Sequence, residues 1–278
     1  MPQNNLQALI SASHLKNLNP QQVVLVDAGS GDEALERYKK QHLTGAVYID
    51  LNRHLSAQNQ NAALGGRHPL PDIIVFSKLL GNMGITPNTH IVVYDDKGAA
   101  NAAARFWWVL TAMGHAKVQV LNVGLQAALK AGIKVSSSIT AIIATHPYPV
   151  TGWQLKTVTF EEVENATVTK DKLIIDVRDA ARYNGITEPI DPVAGCITGA
   201  VNFPFKDNLD EDGLFLSPLT LKEKYGPLFE KYTATDIIVH CGSGVTACHT
   251  LLAIAYAGLP IPALYIGSWS EWCRKKLL

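Results

Sequence analysis

The chain has 278 residues, 47% of them hydrophobic, which is typical of a packed globular protein of about two domains. Its 24 basic and 24 acidic residues cancel, so no charge excess indicates a nucleic-acid or membrane-surface partner. The four cysteines form no Cys-x-x-Cys pair, which excludes an evident disulfide framework or zinc site, and no metal or other cofactor is predicted.

The apolar stretches also bear on location. Residues 1–6 lack a basic region followed by a long apolar core, so no secretory signal is predicted. The longest apolar stretch, Leu251–Ile266, is broken by one glycine and two prolines and is a poor membrane span. We therefore expect a cytoplasmic protein, and free cysteines would stay reduced in that compartment.

One order of predicted elements occurs twice along the chain. In the first half, strands are predicted at Val23–Asp27, His90–Asp95 and Val118–Gly124, with a helix at Ala102–Met113. In the second half, the matching strands are Leu173–Asp176, Asp236–Cys241 and Ala263–Gly267, with a helix at Val245–Ala257. The offset of roughly 143 to 154 residues indicates a domain duplication. Short buried strands alternating with helices predict an α/β fold with a parallel sheet flanked by helices in each half.

Cys241 ends the predicted strand Asp236–Cys241, and a loop of small residues leads from it into the predicted helix Val245–Ala257. The loop reads Cys241-Gly242-Ser243-Gly244-Val245-Thr246. Such a turn points successive backbone N–H groups inward, and the helix dipole adds partial positive charge. A cysteine at its mouth is expected as the nucleophilic thiolate. The other three cysteines, Cys196, Cys248 and Cys273, are expected to be buried and inert.

This loop resembles the active-site loop of rhodanese-type sulfurtransferases. Its letters, CGSGVT, match the members that use 3-mercaptopyruvate, whereas thiosulfate-specific rhodaneses typically carry CRKGVT. The tandem halves and the C-terminal Gly267–Trp272 stretch resemble the family as well. The resemblance implies two rhodanese-like domains, an inactive one at residues 1–140 and a catalytic one at residues 150–278. Asp95 stands in the first half where Cys241 stands in the second, and a carboxylate there would repel an anionic substrate.

The resemblance also implies the reaction. Cys241 would take a sulfane sulfur from a small-molecule donor, 3-mercaptopyruvate or alternatively thiosulfate, and hold it as a persulfide. A thiol, cyanide or thioredoxin would then accept the sulfur. The predicted catalytic residues are Cys241, Ser243 and Thr246, and the predicted substrate-binding residues are Arg182, Gly242, Gly244, Val245, Arg67 and His68.

Several of these side chains have a second interpretation. Ser243 and Thr246 could cap the following helix instead of touching substrate. Arg182 matches the family arginine that clamps a carboxylate, but Arg178 and Arg182 would also suit a solvated helix face. Arg67 and His68 could supply positive charge, or they could belong to a proline-braced surface turn.

The chain departs from the family pattern at three positions. Ile190 replaces an arginine of the Glu-Pro-Arg element, Cys196 replaces a histidine, and Asn52 replaces an acid that supports the nucleophile's serine. These departures concern the choice of donor and leave the predicted reaction through Cys241 unchanged.

Two other functions fit a cysteine in such a loop. A cysteine phosphatase on the same fold needs an arginine six residues after the cysteine, and this chain has Ala247 there. A non-catalytic binding module would not need the intact nucleophile.

Trp269 and Trp272 are predicted to pack in the core.

Overall fold

The computed structural model describes residues 6–122 and 124–278, which form two compact units. One unit runs to Ser56 and continues from Pro71 to Gln154, and the other consists of Ala57–Leu70 and Leu155–Leu278. A short segment from the first half of the chain, Ala57–Leu70, therefore packs with the second unit.

The described part of the first unit contains a five-stranded parallel sheet and a small antiparallel pair. Its strands are β1 (Leu9–Ile10), β2 (Val23–Gly29), β3 (His42–Leu43), β4 (Val47–Asp50), β5 (His90–Tyr94), β6 (Val118–Leu121) and β7 (Val135–Ser136). Its helices are α1 (Ala12–Asn17), α2 (Gly31–Lys40), α3 (Ile73–Asn82), α4 (Ala102–Ala112) and α5 (Gly124–Lys130), with a 3-10 turn at Pro20–Gln22. The parallel sheet has the order β1-β6-β5-β2-β4, and β3 pairs with β7.

The second unit contains another five-stranded parallel sheet. Its strands are β8 (Thr157–Val158), β9 (Leu173–Asp176), β10 (Val201–Asn202), β11 (Ile237–His240) and β12 (Ala263–Tyr265). Its helices are α6 (Phe160–Thr169), α7 (Ala180–Tyr183), α8 (Pro218–Phe229), α9 (Ala247–Tyr256) and α10 (Ser268–Lys276), with 3-10 turns at Phe205–Asn208 and Ala234–Asp236. The sheet has the order β10-β9-β11-β12-β8.

The two sheets have the same topology. Read from β1 and from β8, each sheet places its five strands, counted in chain order, as first, fifth, fourth, second and third. The predicted α/β fold with two parallel sheets is confirmed, and the predicted strands and helices differ from the observed ones by a few residues at their ends. Val123, at the end of one predicted strand, lies outside the described residues.

Each unit also contains the same type of tyrosine–carbonyl hydrogen bond. The Tyr38 hydroxyl on α2 donates to the carbonyl of Ala46 at 2.9 Å, and the Tyr183 hydroxyl on α7 donates to the carbonyl of Ala200 at 2.6 Å. Each tyrosine directly follows an arginine, Arg37 or Arg182. Arg37 is therefore the counterpart of Arg182.

The central strands of the second unit position its loops. Ile237, Ile238 and Val239 are fully buried, because β11 lies between β9 and β12 under helices. After β9 the chain forms β10 on one side of β9, and it then crosses to form β11 on the other side of β9. Such a reversal opens a crevice at the carboxyl ends of β9 and β11. Cys241 directly follows β11 at this point.

His249 on α9 is fully buried among aromatic rings. Its ring stacks on Phe215 with centroids 4.4 Å apart and meets the edge of Phe205 at 5.4 Å. Neither ring nitrogen has a partner among the residues that the structure describes. Burial, together with the charge of Lys224, lowers the pKa of His249 from 6.5 to about 3, so the ring is neutral in the fold.

Replacing His249 with leucine is expected to reduce the loss of stability in mild acid. Below pH 6.5 the unfolded chain binds a proton at this ring while the folded chain does not, so the wild type loses roughly 2 kcal/mol by pH 5 through this group. Urea unfolding of both proteins at pH 7.5, 6 and 5 measures the difference. If both lose stability equally with falling pH, the ring is not held neutral.

None of the helices within residues 6–122 and 124–278 is long and apolar enough to cross a membrane.

Candidate active site

Cys241 opens a tight loop between β11 and α9. The residue is 2% exposed. Gly244 has a φ of +74°, and a Cβ there would lie 2.6 Å from the carbonyl oxygen of Ile266. Only glycine satisfies both constraints, so the second glycine of the motif is required by backbone geometry. Val245 is buried at 4% exposure.

The start of α10 holds this loop through main-chain bonds. The Cys241 N–H donates to Ser268 Oγ at 3.2 Å, and the Trp269 N–H donates to the Cys241 carbonyl at 3.0 Å. The Ser270 N–H donates to the Gly242 carbonyl at 2.9 Å. Ser268 is fully buried and has a φ of +53°, which is unfavourable for a residue with a Cβ. Ser268 was not among the site residues predicted from the sequence.

Trp269 and Trp272 pack in the core of the second unit, as expected from the sequence. They are 0% and 4% exposed and belong to one apolar cluster. The indole N–H of Trp269 donates to the carbonyl of Val193 at 2.8 Å. This packing anchors the helix that holds the loop.

Ser243 bonds to a histidine that comes from the Ala57–Leu70 segment. Its Oγ lies 2.8 Å from Nδ1 of His68, and the donor in this bond depends on the histidine tautomer. Ser243 is 6% exposed. The serine therefore does not cap α9. Within the second unit, the side chain that bonds to Ser243 is that of His68.

Thr246 precedes α9 but makes no side-chain capping bond to it. The residue is partly exposed. This geometry does not support the capping interpretation of Thr246.

Arg67 and Arg182 both approach Gly242. A Cβ at Gly242 would lie 3.2 Å from Nη2 of each arginine. Gly242 directly follows Cys241, so two guanidinium groups lie beside the predicted nucleophile. Ile190, which stands where the family has an arginine, is 53% exposed. The second arginine beside Gly242 is instead Arg67.

Carboxylates hold these arginines. Arg182 donates to Glu188 through Nε at 3.1 Å and Nη2 at 2.7 Å. Arg67 donates to Asp191 through Nε at 3.1 Å and Nη2 at 3.3 Å. Burial of Glu188 opposes its ionisation, but hydrogen bonds from Arg182 and from two backbone N–H groups outweigh burial and lower its pKa below 4.5. Glu188 is therefore charged at neutral pH.

Arg178 has a different environment from Arg182. It is 2% exposed, forks onto Asp176 and stacks over Trp269 at 4.7 Å. It also donates to Glu188 at 3.2 Å. These contacts are those of a structural residue. Arg182 is also paired with Glu188, and its side chain is 16% exposed, so neither arginine lies on a solvated helix face.

The remaining cysteines differ in burial. Cys248 is fully buried and donates from Sγ to the Gly244 carbonyl at 3.3 Å, and Cys273 is also fully buried. Cys196 is only partly buried, which differs from the expectation, because it lies in the loop before β10 rather than in a core element.

The first unit carries a carboxylate where the second carries Cys241. The Asp95 side chain is buried and accepts backbone N–H groups of Lys97, Ala99 and Ala103 at 3.0, 2.8 and 3.2 Å. Asp95 therefore does more than repel an anion, because its carboxylate itself accepts hydrogen bonds from the N–H groups that a bound anion would use. Arg37 pairs with Asp27 beside it at 2.8 Å.

Known proteins share this arrangement of domains and sequence. A family model described as a rhodanese-like domain matches residues 11–131 and 159–275. A probable 3-mercaptopyruvate sulfurtransferase of Pseudomonas aeruginosa is 38% identical over 238 residues, 84% of this chain and 82% of that protein. The thiosulfate sulfurtransferase of Mus musculus is 34% identical over 255 residues, 87% of this chain and 81% of that protein.

Solved structures agree with these matches. The 3-mercaptopyruvate sulfurtransferase of Leishmania major superimposes with a TM-score of 0.83 at 26% identity, covering 99% of this chain and 76% of that one. SseA from Escherichia coli superimposes with a TM-score of 0.77 at 27% identity, covering 96% of this chain and 100% of that one. The chain therefore belongs to the rhodanese-like family and is a sulfurtransferase with two rhodanese-like domains.

Proposed function

We propose that this chain transfers the sulfane sulfur of 3-mercaptopyruvate to a thiol or cyanide through a persulfide on Cys241. The observation that carries the choice of donor is the hydrogen bond between Ser243 and His68, a pair that can bind a ketone oxygen, which 3-mercaptopyruvate has and thiosulfate lacks. Arg67 and Arg182, which approach Gly242, suit the donor's carboxylate. Guanidinium groups bind carboxylates through paired charge-assisted hydrogen bonds, and 3-mercaptopyruvate has one carboxylate.

The first step breaks the carbon–sulfur bond of the donor. The Cys241 thiolate attacks the donor's thiol sulfur, and the electron pair of the carbon–sulfur bond leaves with the carbon as pyruvate enolate. The donor's sulfur, with its proton, becomes the outer sulfur of the persulfide. Inward-pointing N–H groups of the loop stabilise the sulfur after the persulfide loses that proton.

Ser243 and His68 would assist departure of the enolate. With His68 protonated at Nδ1, that N–H donates to Ser243 Oγ, and the Ser243 hydroxyl donates to the ketone oxygen of the donor. Developing negative charge on this oxygen is stabilised, and the enolate takes up a proton to give pyruvate. Thr246, whose hydroxyl does not cap the helix, would donate to the sulfur or the donor.

The second step returns the enzyme to its starting state. An acceptor thiolate attacks the outer sulfur, the sulfur–sulfur bond breaks, and the electron pair returns to Cys241. Cyanide would take the same sulfur as thiocyanate. A protein thiol, such as that of thioredoxin, is an acceptor of the same chemistry.

Residues 150–278 are proposed as the catalytic domain and residues 1–140 as the inactive one, with Ala57–Leu70 serving the catalytic unit. The carboxylate of Asp95 supports this division, because it occupies the N–H groups that a substrate anion would need.

Thiosulfate is the second candidate donor. Two guanidinium groups beside the nucleophile suit a compact dianion, and the sequence match to a thiosulfate sulfurtransferase agrees with that possibility. Thiosulfate has no ketone oxygen, so the Ser243–His68 pair would have no comparable role with it.

Kinetics with both donors test the donor assignment. For the wild type we expect the larger kcat/KM with 3-mercaptopyruvate. Ser243→Ala should lower kcat/KM for 3-mercaptopyruvate by roughly 10- to 100-fold, the scale of one lost stabilising donor, and should change the thiosulfate value little. Thiosulfate is the internal control for loop damage. A wild type that prefers thiosulfate, or equal losses with both donors, would contradict the assignment.

A further inference from the structure

Asp191 is a fully buried carboxylate that contacts three arginines. Its oxygens accept from Arg67 at 3.1 and 3.3 Å and from Nη1 of Arg274 at 2.9 Å. Nη2 of Arg182 lies 3.8 Å from its Oδ2. The side chain has no solvent exposure, so these arginines supply its neutralising charge.

The two arginines that approach Gly242 are held in the same way. Asp191 occupies the Nε–Nη2 edge of Arg67, and Glu188 occupies the same edge of Arg182. Among the bonds of the described residues, neither Nη1 atom is engaged, so each guanidinium keeps donors for a ligand. Two guanidinium groups that both approach Gly242 repel each other, and a carboxylate that contacts both reduces that repulsion.

We infer that Asp191 is a positioning residue that holds Arg67 and Arg182 in convergence on the anionic group of a molecule bound beside Cys241. The inference rests on the proposed function only in that the bound molecule is an anion. Asp191 contacts the arginines and acts through them.

Alkylation of Cys241 tests this placement without any sulfur donor. Iodoacetate and iodoacetamide have the same size and leaving group, but only iodoacetate carries a carboxylate. The ratio of their rates at Cys241, followed by peptide mass spectrometry, reports how well the site binds an anion next to the thiol. Asp191→Asn should lower this ratio by roughly tenfold, the scale of one charge-assisted hydrogen bond.

The direction of the change separates positioning from simple charge. Asp191→Asn makes the site more positive, so an effect of net charge alone would raise the iodoacetate ratio. A ratio that rises or stays at the wild-type value overturns the inference. Asp27→Asn is the matched control, because Asp27 is a buried carboxylate paired with Arg37 in the unit without the nucleophile. Its ratio should equal that of the wild type.

Asp191→Glu keeps the charge but displaces the carboxylate by one methylene, and should give a ratio between those of the wild type and Asp191→Asn. If Asp191→Asn does not fold, this variant decides: a lowered ratio supports the inference, and an unchanged ratio overturns it. With 3-mercaptopyruvate, Asp191→Asn should raise KM and leave kcat within roughly threefold. If the wild type does not use that donor, the proposed function fails while the alkylation result still stands.

Discussion

Replacing Cys241 with serine is expected to abolish sulfur transfer and leave the fold intact. A serine hydroxyl is not ionised at neutral pH and is a far weaker nucleophile toward sulfur than a thiolate. The two side chains have nearly the same size, so the buried position should accept the change. Mass spectrometry after treatment with donor should show one added sulfur on the wild type and none on the variant.

Cys248→Ser is the matched control for this experiment. Cys248 is fully buried and bonds through its thiol to the Gly244 carbonyl, a bond that a hydroxyl can also make. The variant should keep most of the activity and the added sulfur. Turnover by Cys241→Ser, or loss of the persulfide in Cys248→Ser alone, would show that the nucleophile has been misassigned.

Replacing Arg182 with alanine should lower kcat/KM for the donor by roughly 10- to 1000-fold. This range corresponds to the loss of a charge-assisted contact worth about 1.5–4 kcal/mol to an anionic donor. The reaction of Cys241 with neutral iodoacetamide should change little, because Arg182 is proposed to bind the donor's anionic group. Steady-state kinetics and alkylation rates measure the two effects separately.

The duplicated fold provides a control for the Arg182 variant. Arg37 is its counterpart in the first unit, where it pairs with buried Asp27 and where Asp95 replaces the nucleophile. Arg37→Ala should lower stability through loss of that pair and leave donor kinetics unchanged. Unaltered donor kinetics in Arg182→Ala would mean that its ion pair with Glu188 is purely structural.

Local sequence patterns predicted the fold, and the resemblance of the Cys241 loop to rhodanese-type sulfurtransferases implied the reaction. Apolar runs such as Leu173–Asp176 and Ile237–His240 became buried parallel strands, because their hydrophobicity is continuous and glycine or polar loops end them. The loop after Cys241 is also local: its glycines and the following helix fix the backbone within a few residues. These features need no information from distant parts of the chain.

The tertiary structure decided which distant residues surround Cys241. Neighbouring residues alone could not show that Ala57–Leu70 packs with the second unit and brings His68 to Ser243 and Arg67 to Gly242. Burial likewise distinguished Arg178 from Arg182, which lie four residues apart in the sequence. The sequence by itself determined the parallel sheets and the tight loop that begins with Cys241, because short-range periodicity and backbone geometry encode them. The set of charges around the nucleophile depends on packing between segments more than a hundred residues apart, so only the folded chain specifies it.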